Sequence, residues 1–180
     1  MPLTPPPSIE SPRLLLRIVE DADIPALLAI NGDDEVTCFL PYETWQSLAD
    51  GQAWFKRMSA LGSAGSCLQF VIVEKTSGTV IGTCLIFRHE PASARAEIGY
   101  VLARAHWGKG LMREALLTLI AYAFDAGALR RLEAEVNPDN LASNQLLLRL
   151  GFTLEGVLRK RWVAKGNAYD TNIYGLLRDE

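Results

Sequence analysis

Residues 100–112 read Tyr100-Val101-Leu102-Ala103-Arg104-Ala105-His106-Trp107-Gly108-Lys109-Gly110-Leu111-Met112: the end of a strand, a glycine loop, and at once a helix. Upstream, Ala94 to Leu102 alternates, with Glu97, Gly99 and Val101 on one face and Ile98, Tyr100 and Leu102 on the other. Downstream, Met112, Ala115, Leu116, Leu119, Ile120 and Ala123 recur at helical spacing, and Gly127 is placed to end the helix. The first turn of a helix carries free backbone N–H groups and the positive end of the helix dipole, so it suits phosphate. Gly108 and Gly110 let the backbone approach a ligand and adopt positive φ, while Arg104, Lys109 and Arg113 add local positive charge. Gly-x-Gly alone supports only an anion at a helix N-terminus. The loop lacks the G-x-x-x-x-G-K-[ST] pattern, and Arg113 stands where a dinucleotide fingerprint needs its third glycine. A phosphate-bearing ligand other than a nucleoside triphosphate or NAD is expected.

The same reading extends in both directions. Leu14 to Ile18 suits a strand, and Glu20-Asp21-Ala22-Asp23 with Pro25 starts a helix that runs to Asn31-Gly32. Ala49, Ala53, Trp54, Met58 and Leu61 mark a second helix between Ser47 and Leu61. Leu68 to Val73 and Val80 to Phe87 form a hairpin around Thr76-Ser77-Gly78. Beyond the glycine loop and its helix, Arg131 to Val136 is a strand, and Asn140 caps a helix through Leu150 that Gly151 stops. Phe152 to Val163 and Ala168 to Leu177 close the chain as paired strands around Lys165-Gly166-Asn167. This order predicts an α/β (α+β) domain whose mixed, mostly antiparallel sheet has about seven strands flanked by about four helices.

Bulk composition narrows the function. The chain has 180 residues, 49% hydrophobic and 22% charged, which fits one globular domain over 13–180 behind a flexible Pro-rich N-terminus at 1–12. A net charge of -3 gives no reason to expect nucleic acid or anionic membrane as a partner, so any bound anion must be held locally. Cys38, Cys67 and Cys84 are odd in number and unpaired in spacing, as for buried free thiols. With only His89 and His106 and no Cys/His cluster, no metal is expected. No signal pattern and no apolar run long enough to span a bilayer is present, so a cytoplasmic location is expected.

Several motifs converge on one family. Ser11-Pro12-Arg13-Leu14-Leu15-Leu16-Arg17, Ile81-Gly82, Ala96-Glu97-Ile98-Gly99-Tyr100-Val101-Leu102, Trp107-Gly108-Lys109-Gly110 and Glu114-Ala115-Leu116 follow in order. Asn137-Pro138-Asp139-Asn140-Leu141-Ala142-Ser143-Asn144, Leu150-Gly151-Phe152, Glu155-Gly156 and Tyr174 complete the series. Over nearly its whole length the chain resembles the GNAT acetyltransferases, and among them the RimJ/RimL-type ribosomal-protein N-terminal acetyltransferases. The resemblance implies the GNAT fold and acetyl-coenzyme A as acyl donor. It also implies that backbone groups of Val101, Leu102 and Ala103 hold the pantetheine arm. Backbone groups of Trp107, Gly108, Lys109, Gly110, Leu111 and Met112 hold the pyrophosphate, with Asn137 and Asn144 as further cofactor contacts. Relative to the superfamily loop R/Q-x-x-G-x-G/A, Trp107 replaces Arg or Gln, as in the RimJ/RimL subgroup, and Met112 replaces Gly or Ala.

Acetyl transfer to an amine requires a neutral nucleophile and a proton for the departing thiolate. By the resemblance Glu97 is the expected general base, against a structural carboxylate bonded across the sheet. Ser143 is the expected acid, against an ordinary serine near a helix N-terminus. The RimL-type enzymes carry a proposed catalytic glutamate a few residues after the position of Gly156. By spacing this chain offers Arg161 or Trp162 there, and Glu155 reads as structural. Arg159-Lys160-Arg161 reads as a solvated strand face, or as a contact for an acidic acceptor or the cofactor's 3′-phosphate. Trp45, Trp54, Tyr42 and Phe39 fall in the region that borders the acceptor cleft in this family, though such aromatics usually build the core. The expected partner is an amine, first a protein N-terminal α-amine. A small amine (amino acid, polyamine or antibiotic) and a non-catalytic acyl-coenzyme A-binding domain are the alternatives, as monomer or homodimer.

Overall fold

A computed structural model describes residues 3–178. One sheet of eight strands has the order β1-β2-β3-β4-β5-β6-β8-β7. The strands are β1 (Ile9–Glu10), β2 (Leu14–Ile18), β3 (Leu68–Glu74), β4 (Thr79–Glu90), β5 (Arg95–Leu102), β6 (Arg131–Val136), β7 (Thr153–Ala164) and β8 (Asn167–Leu177). The helices are α1 (Ile24–Asn31), α2 (Asp34–Thr37), α3 (Leu48–Ser63), α4 (Leu111–Asp125) and α5 (Leu141–Arg149). This is the expected mixed, mostly antiparallel sheet with helices on it, plus one two-residue strand and one single-turn helix that carry no periodic signal. The turn α2 exists because Asp33 caps it by accepting from the Glu35 N–H, a local bond rather than an apolar stripe.

Side-chain alternation divides the core in two. Leu68, Phe70 and Ile72 of β3 join α4 and α5 residues in the larger cluster, whereas Val71 and Val73 join Leu27 and Ile30 of α1 and Trp45. β3 is therefore buried on both faces, as a central strand must be. β5 follows the same rule. Ala96, Ile98, Tyr100 and Leu102 face the α4/α5 cluster, and Val101 faces the other. Glu97 shares the Val101 parity.

Of the Pro-rich segment expected as a flexible tail, residues 1–2 lie outside the described residues, and Leu3, Ile9 and Glu10 contact the domain. Leu3 is buried and donates its N–H to Gly65 O, and Ile9 and Glu10 pair with Leu16 and Leu15. Among the described residues no helix is long and apolar enough to cross a membrane.

The feature that positions the site is the junction of β5 and β6, the one parallel pair among the described residues. It covers only Arg95 with Arg131, Ala96 with Leu132 and Glu97 with Glu133. β5 nevertheless stays on β4 as far as Leu102, opposite Gly82, and β6 stays on β8 as far as Val136, opposite Asn172. Two continuous half-sheets thus part after Glu97. Gly82 matters here because a Cβ on it would run into the Val101 carbonyl. Two of the motifs in the sequence prove to be one contact. Glu114, in the first turn of α4, accepts from Ser11 Oγ at 2.6 Å, Arg13 N at 2.8 Å and Arg13 Nε at 2.6 Å.

Glu114→Ala removes three bonds to one carboxylate that is mostly shielded, while Arg13 itself is half exposed. The folded state is expected to lose about 1–2 kcal/mol in urea unfolding, with m unchanged. A loss below a few tenths would mean that this link does not hold the start of α4.

Candidate active site

The opening between β5 and β6 lies at their carboxyl ends, where ligands bind in open α/β sheets. Each parting strand leads into a helix that starts there: β5 through residues 103–110 into α4, and β6 through residues 137–140 into α5. Gly108 and Gly110 both have φ +73°, a conformation that side chains with a Cβ rarely take, and nothing lies within 4 Å of a Cβ built on Gly108. Among the described residues, the N–H groups of Gly108, Lys109, Gly110, Leu111 and Met112 have no acceptor within the chain. Met112, which departs from the superfamily loop, packs its side chain into the core with Leu111 and leaves its N–H at the loop. Trp107 earns its place by donating from Nε1 to Leu102 O at 2.8 Å, which clamps the loop to the strand.

Other expected residues sort themselves by what they are bonded to. The Ala103 N–H donates to Ile81 O and its carbonyl accepts from His106 N, so Ala103 pins the loop start. Arg104 does not bring free positive charge: it is paired with Glu35 at 2.9 Å and Asp33 at 3.6 Å on α2. Lys109 and Arg113 are exposed. Asn137 accepts from the Asp139 N–H, and its amide N has no partner among the described residues, so it can meet a ligand. Asn144 differs from the expectation of a cofactor contact. Its amide donates to Asn137 O and Asn140 O and accepts from Asn172 and Tyr174 at 2.7 Å each, so its side chain has no bond left for a ligand. It shapes the 137–140 turn instead. Asn140 is the helix cap, accepting from the Ser143 N–H.

Ser143 and Tyr100 meet across the opening, Oγ to OH at 2.6 Å, on the α4/α5 face. Burial pushes the Tyr100 phenol up to about 12. On the opposite face Glu97 is buried at 8% exposure. Loss of water around its carboxylate raises its pKa to about 7 against the pull of Arg88, with Glu135 and Glu133 adding to the rise. Arg88 Nη1 donates to Glu97 Oε2 at 2.7 Å and to Glu135 Oε1 at 3.2 Å. Arg88 sits in the irregular pairing between Phe87 and Glu90 with φ +49°, and its guanidinium lies 5.5 Å from the ring centroids of both Phe87 and Trp162.

Glu135 also accepts from Trp162 Nε1 at 2.7 Å and from Arg161 at 3.3 Å. The two residues standing where the RimL-type pattern has a glutamate therefore hold a carboxylate brought by β6. Glu155 is taken by a bidentate pair with Arg131 at 2.8 and 2.5 Å, which holds it below the usual carboxylate range. Gly175 leaves room for that pair, since a Cβ there would run into Glu155. Tyr100, Arg88 and Glu135 were not among the expected site residues. For Glu135 a signal existed, because Glu133 and Glu135 put two carboxylates on one face of a short strand.

A cavity of about 440 Å³, lined among others by Tyr42, Glu43, Trp45, Asp50, Trp54 and Arg57, lies on the α1/α3 side. Trp45 is core, and Tyr42 donates to Asn31. Cys67 and Cys84 are buried as expected, whereas Cys38 is exposed.

A parted parallel pair, a glycine loop of unpartnered N–H groups and two helix N-termini fit a long ligand that carries pyrophosphate. Residues 13–153 match the acetyltransferase (GNAT) domain, and the chain belongs to the GNAT acetyltransferase family, whose members use acetyl-coenzyme A. It is an acyltransferase. It is 35% identical over 172 residues to the N-acetyltransferase YoaA of Bacillus subtilis, covering 96% of this chain and 97% of that one. It is 36% identical over 119 residues to the ribosomal-protein-serine acetyltransferase of Escherichia coli, covering 66% and 65%. Among solved structures it superposes on RimL, the ribosomal L7/L12 α-N-protein acetyltransferase in complex with coenzyme A. The TM-score is 0.87 at 26% identity, over 96% and 98% of the two chains.

Gly108→Ala imposes a Cβ on a left-handed residue, a strain of about 1–2 kcal/mol. If the loop relaxes to avoid it, the coenzyme A dissociation constant measured by calorimetry should rise by about tenfold. An unchanged constant, with the fold intact, would mean that the ligand does not need this geometry.

Proposed function

We propose that the enzyme transfers acetyl from acetyl-coenzyme A to a protein N-terminal α-amine, directly, within a ternary complex. The observation that carries this reading is the pair of proton-handling groups on opposite faces of the parted strands: Glu97 on one, Ser143 with Tyr100 on the other. Acetyl-coenzyme A supplies an activated acyl group on a thiol leaving group. The N–H groups of residues 108–112 hold its pyrophosphate, the expected Trp107 N–H being taken by Arg104 O, and the backbone around Val101 with the Asn137 amide guides the arm into the opening. The acceptor approaches from the α1/α3 side, where the cavity beside Tyr42 and Trp54 takes chain beyond the amine.

Glu97 takes a proton from the bound ammonium, directly or through one water, and the neutral amine so formed attacks the thioester carbonyl. An α-amine has a pKa of about 7.7–8.0, within about one unit of this carboxylate, whereas a lysine side chain at about 10.4 is far harder to deprotonate. That match favours an α-amine. When the Tyr100 hydroxyl donates to Ser143, the Ser143 hydrogen is free to go to the departing sulfur, so Ser143 acts as acid with Tyr100 behind it. The names of the ribosomal-protein-serine acetyltransferase and RimL support the protein acceptor.

The test is a panel of peptides and small amines assayed for thiol release over a pH range. The expected result is peptide acetylation, with kcat/KM rising as Glu97 ionises near pH 7. Activity confined to free amino acids, polyamines or antibiotics would move the acceptor to a small amine. Coenzyme A binding with no transfer would overturn the reading. Glu97→Gln should lower turnover by about 10²–10⁴-fold and move the acidic limb up to the amine's own ionisation at about 7.7–8.0, with cofactor affinity nearly unchanged. Ser143→Ala should lower kcat while leaving that limb in place, and normal turnover would remove Ser143 from the role.

A further inference from the structure

We propose that Glu135 is a positioning residue for Glu97: it shares the Arg88 guanidinium with Glu97 and so limits how far Arg88 can stabilise the charge on Glu97. The proposal rests on the reading of Glu97 as base only for its kinetic consequence; the coupling between the two carboxylates stands on geometry. One nitrogen, Arg88 Nη1, serves both carboxylates, at 2.7 Å to Glu97 and 3.2 Å to Glu135. Glu135 cannot swing away, because Trp162 Nε1 holds its second oxygen at 2.7 Å and Arg161 approaches the first at 3.3 Å. Arg88 lies against the Phe87 and Trp162 rings, 5.5 Å from each centroid, from its irregular site on β4.

The other charged groups on this face are occupied in a different way. Glu133, in register with Glu97, receives Arg95 at 2.8 Å and Arg131 Nε at 2.8 Å, so it has Arg95 in full and shares Arg131 with Glu155. Tyr169 of β8 lies within the field of Glu135. Among the described residues Glu97 has only its share of Arg88.

A buried carboxylate with a full guanidinium partner would be ionised well below neutral pH and would be a weak base. A buried carboxylate with none would take up a proton at neutral pH and be unavailable. Division of Arg88 between Glu97 and Glu135 places Glu97 between these limits, where a base for an α-ammonium is useful. Arg161 and Trp162 acquire a role by the same logic, as the groups that keep Glu135 on Arg88.

The experiment is a ¹³C-carboxyl NMR titration of Glu97 in the free enzyme, beside the pH dependence of kcat/KM, for wild type, Glu135→Gln and Arg88→Gln. Removal of the Glu135 charge withdraws a like charge and leaves Arg88 to Glu97 alone. The Glu97 midpoint and the acidic limb should both move down by about one pH unit. Arg88→Gln should move both up. Opposite signs from two neutral substitutions in one cluster cannot arise from general loosening, and Glu135→Ala, which removes the same charge, takes the place of Glu135→Gln if that variant does not fold. A Glu97 midpoint that stays at the wild-type value in Glu135→Gln, or fails to rise in Arg88→Gln, would overturn the proposal. If the midpoint moves as expected but the limb does not, the coupling stands and Glu97 is not the base.

Discussion

Everything about this protein's chemistry depends on the parting of two parallel strands after three paired positions. β5 keeps its bonds to β4, and β6 keeps its bonds to β8, so neither half of the sheet loses order where they separate. The separation exposes strand edge at the carboxyl ends, where the helices that follow present their N-termini. Other features serve this geometry. Gly82 allows β4 to lie close to the end of β5, Trp107 fastens the loop to the same strand, and Glu114 ties the start of α4 to β2. Asn144 draws the 137–140 turn, α5 and β8 together on the far side.

The parting also separates the two proposed proton transfers. Strand alternation puts Glu97 on the α1/α3 face, while Tyr100, three residues on, points to the α4/α5 face and meets Ser143. A donor lying in the opening has the proposed base on one side and the proposed acid on the other, without either group reaching through the sheet. The carboxylate side is electrically crowded, and its pairs are divided among strands β4 to β7 rather than confined to neighbours in sequence.

Much of the fold was legible in the sequence because it is written in local periodicity. The α4 stripe, the β3–β4 hairpin, the capped α5 and the closing β7–β8 pair all announce themselves within a dozen residues. β1 and α2 do not, since two paired residues and one capped turn are too short to carry a period. The cofactor loop was legible as an anion site through its glycines, and the family resemblance supplied the ligand. The charge network was not legible. Arg88 reaches Glu97 and Glu135 because of irregular pairing between Phe87 and Glu90, and Glu135 lies 47 residues away along the chain. Asn144 illustrates the opposite error: its place beside Ser143 suggested a ligand contact, but its partners Asn172 and Tyr174, 28 and 30 residues away, claim its amide oxygen.

The central claim is that the free N–H groups at the start of α4, together with the parted strands, hold acetyl-coenzyme A. Amide hydrogen exchange followed by mass spectrometry, with and without saturating acetyl-coenzyme A, tests it most directly. Amides of residues 108–112, which have no acceptor within the chain, should exchange rapidly in the free protein and become protected on binding, together with the end of β5 and the 137–144 segment. Binding that protects some other surface and leaves residues 108–112 exchanging as before would contradict the account.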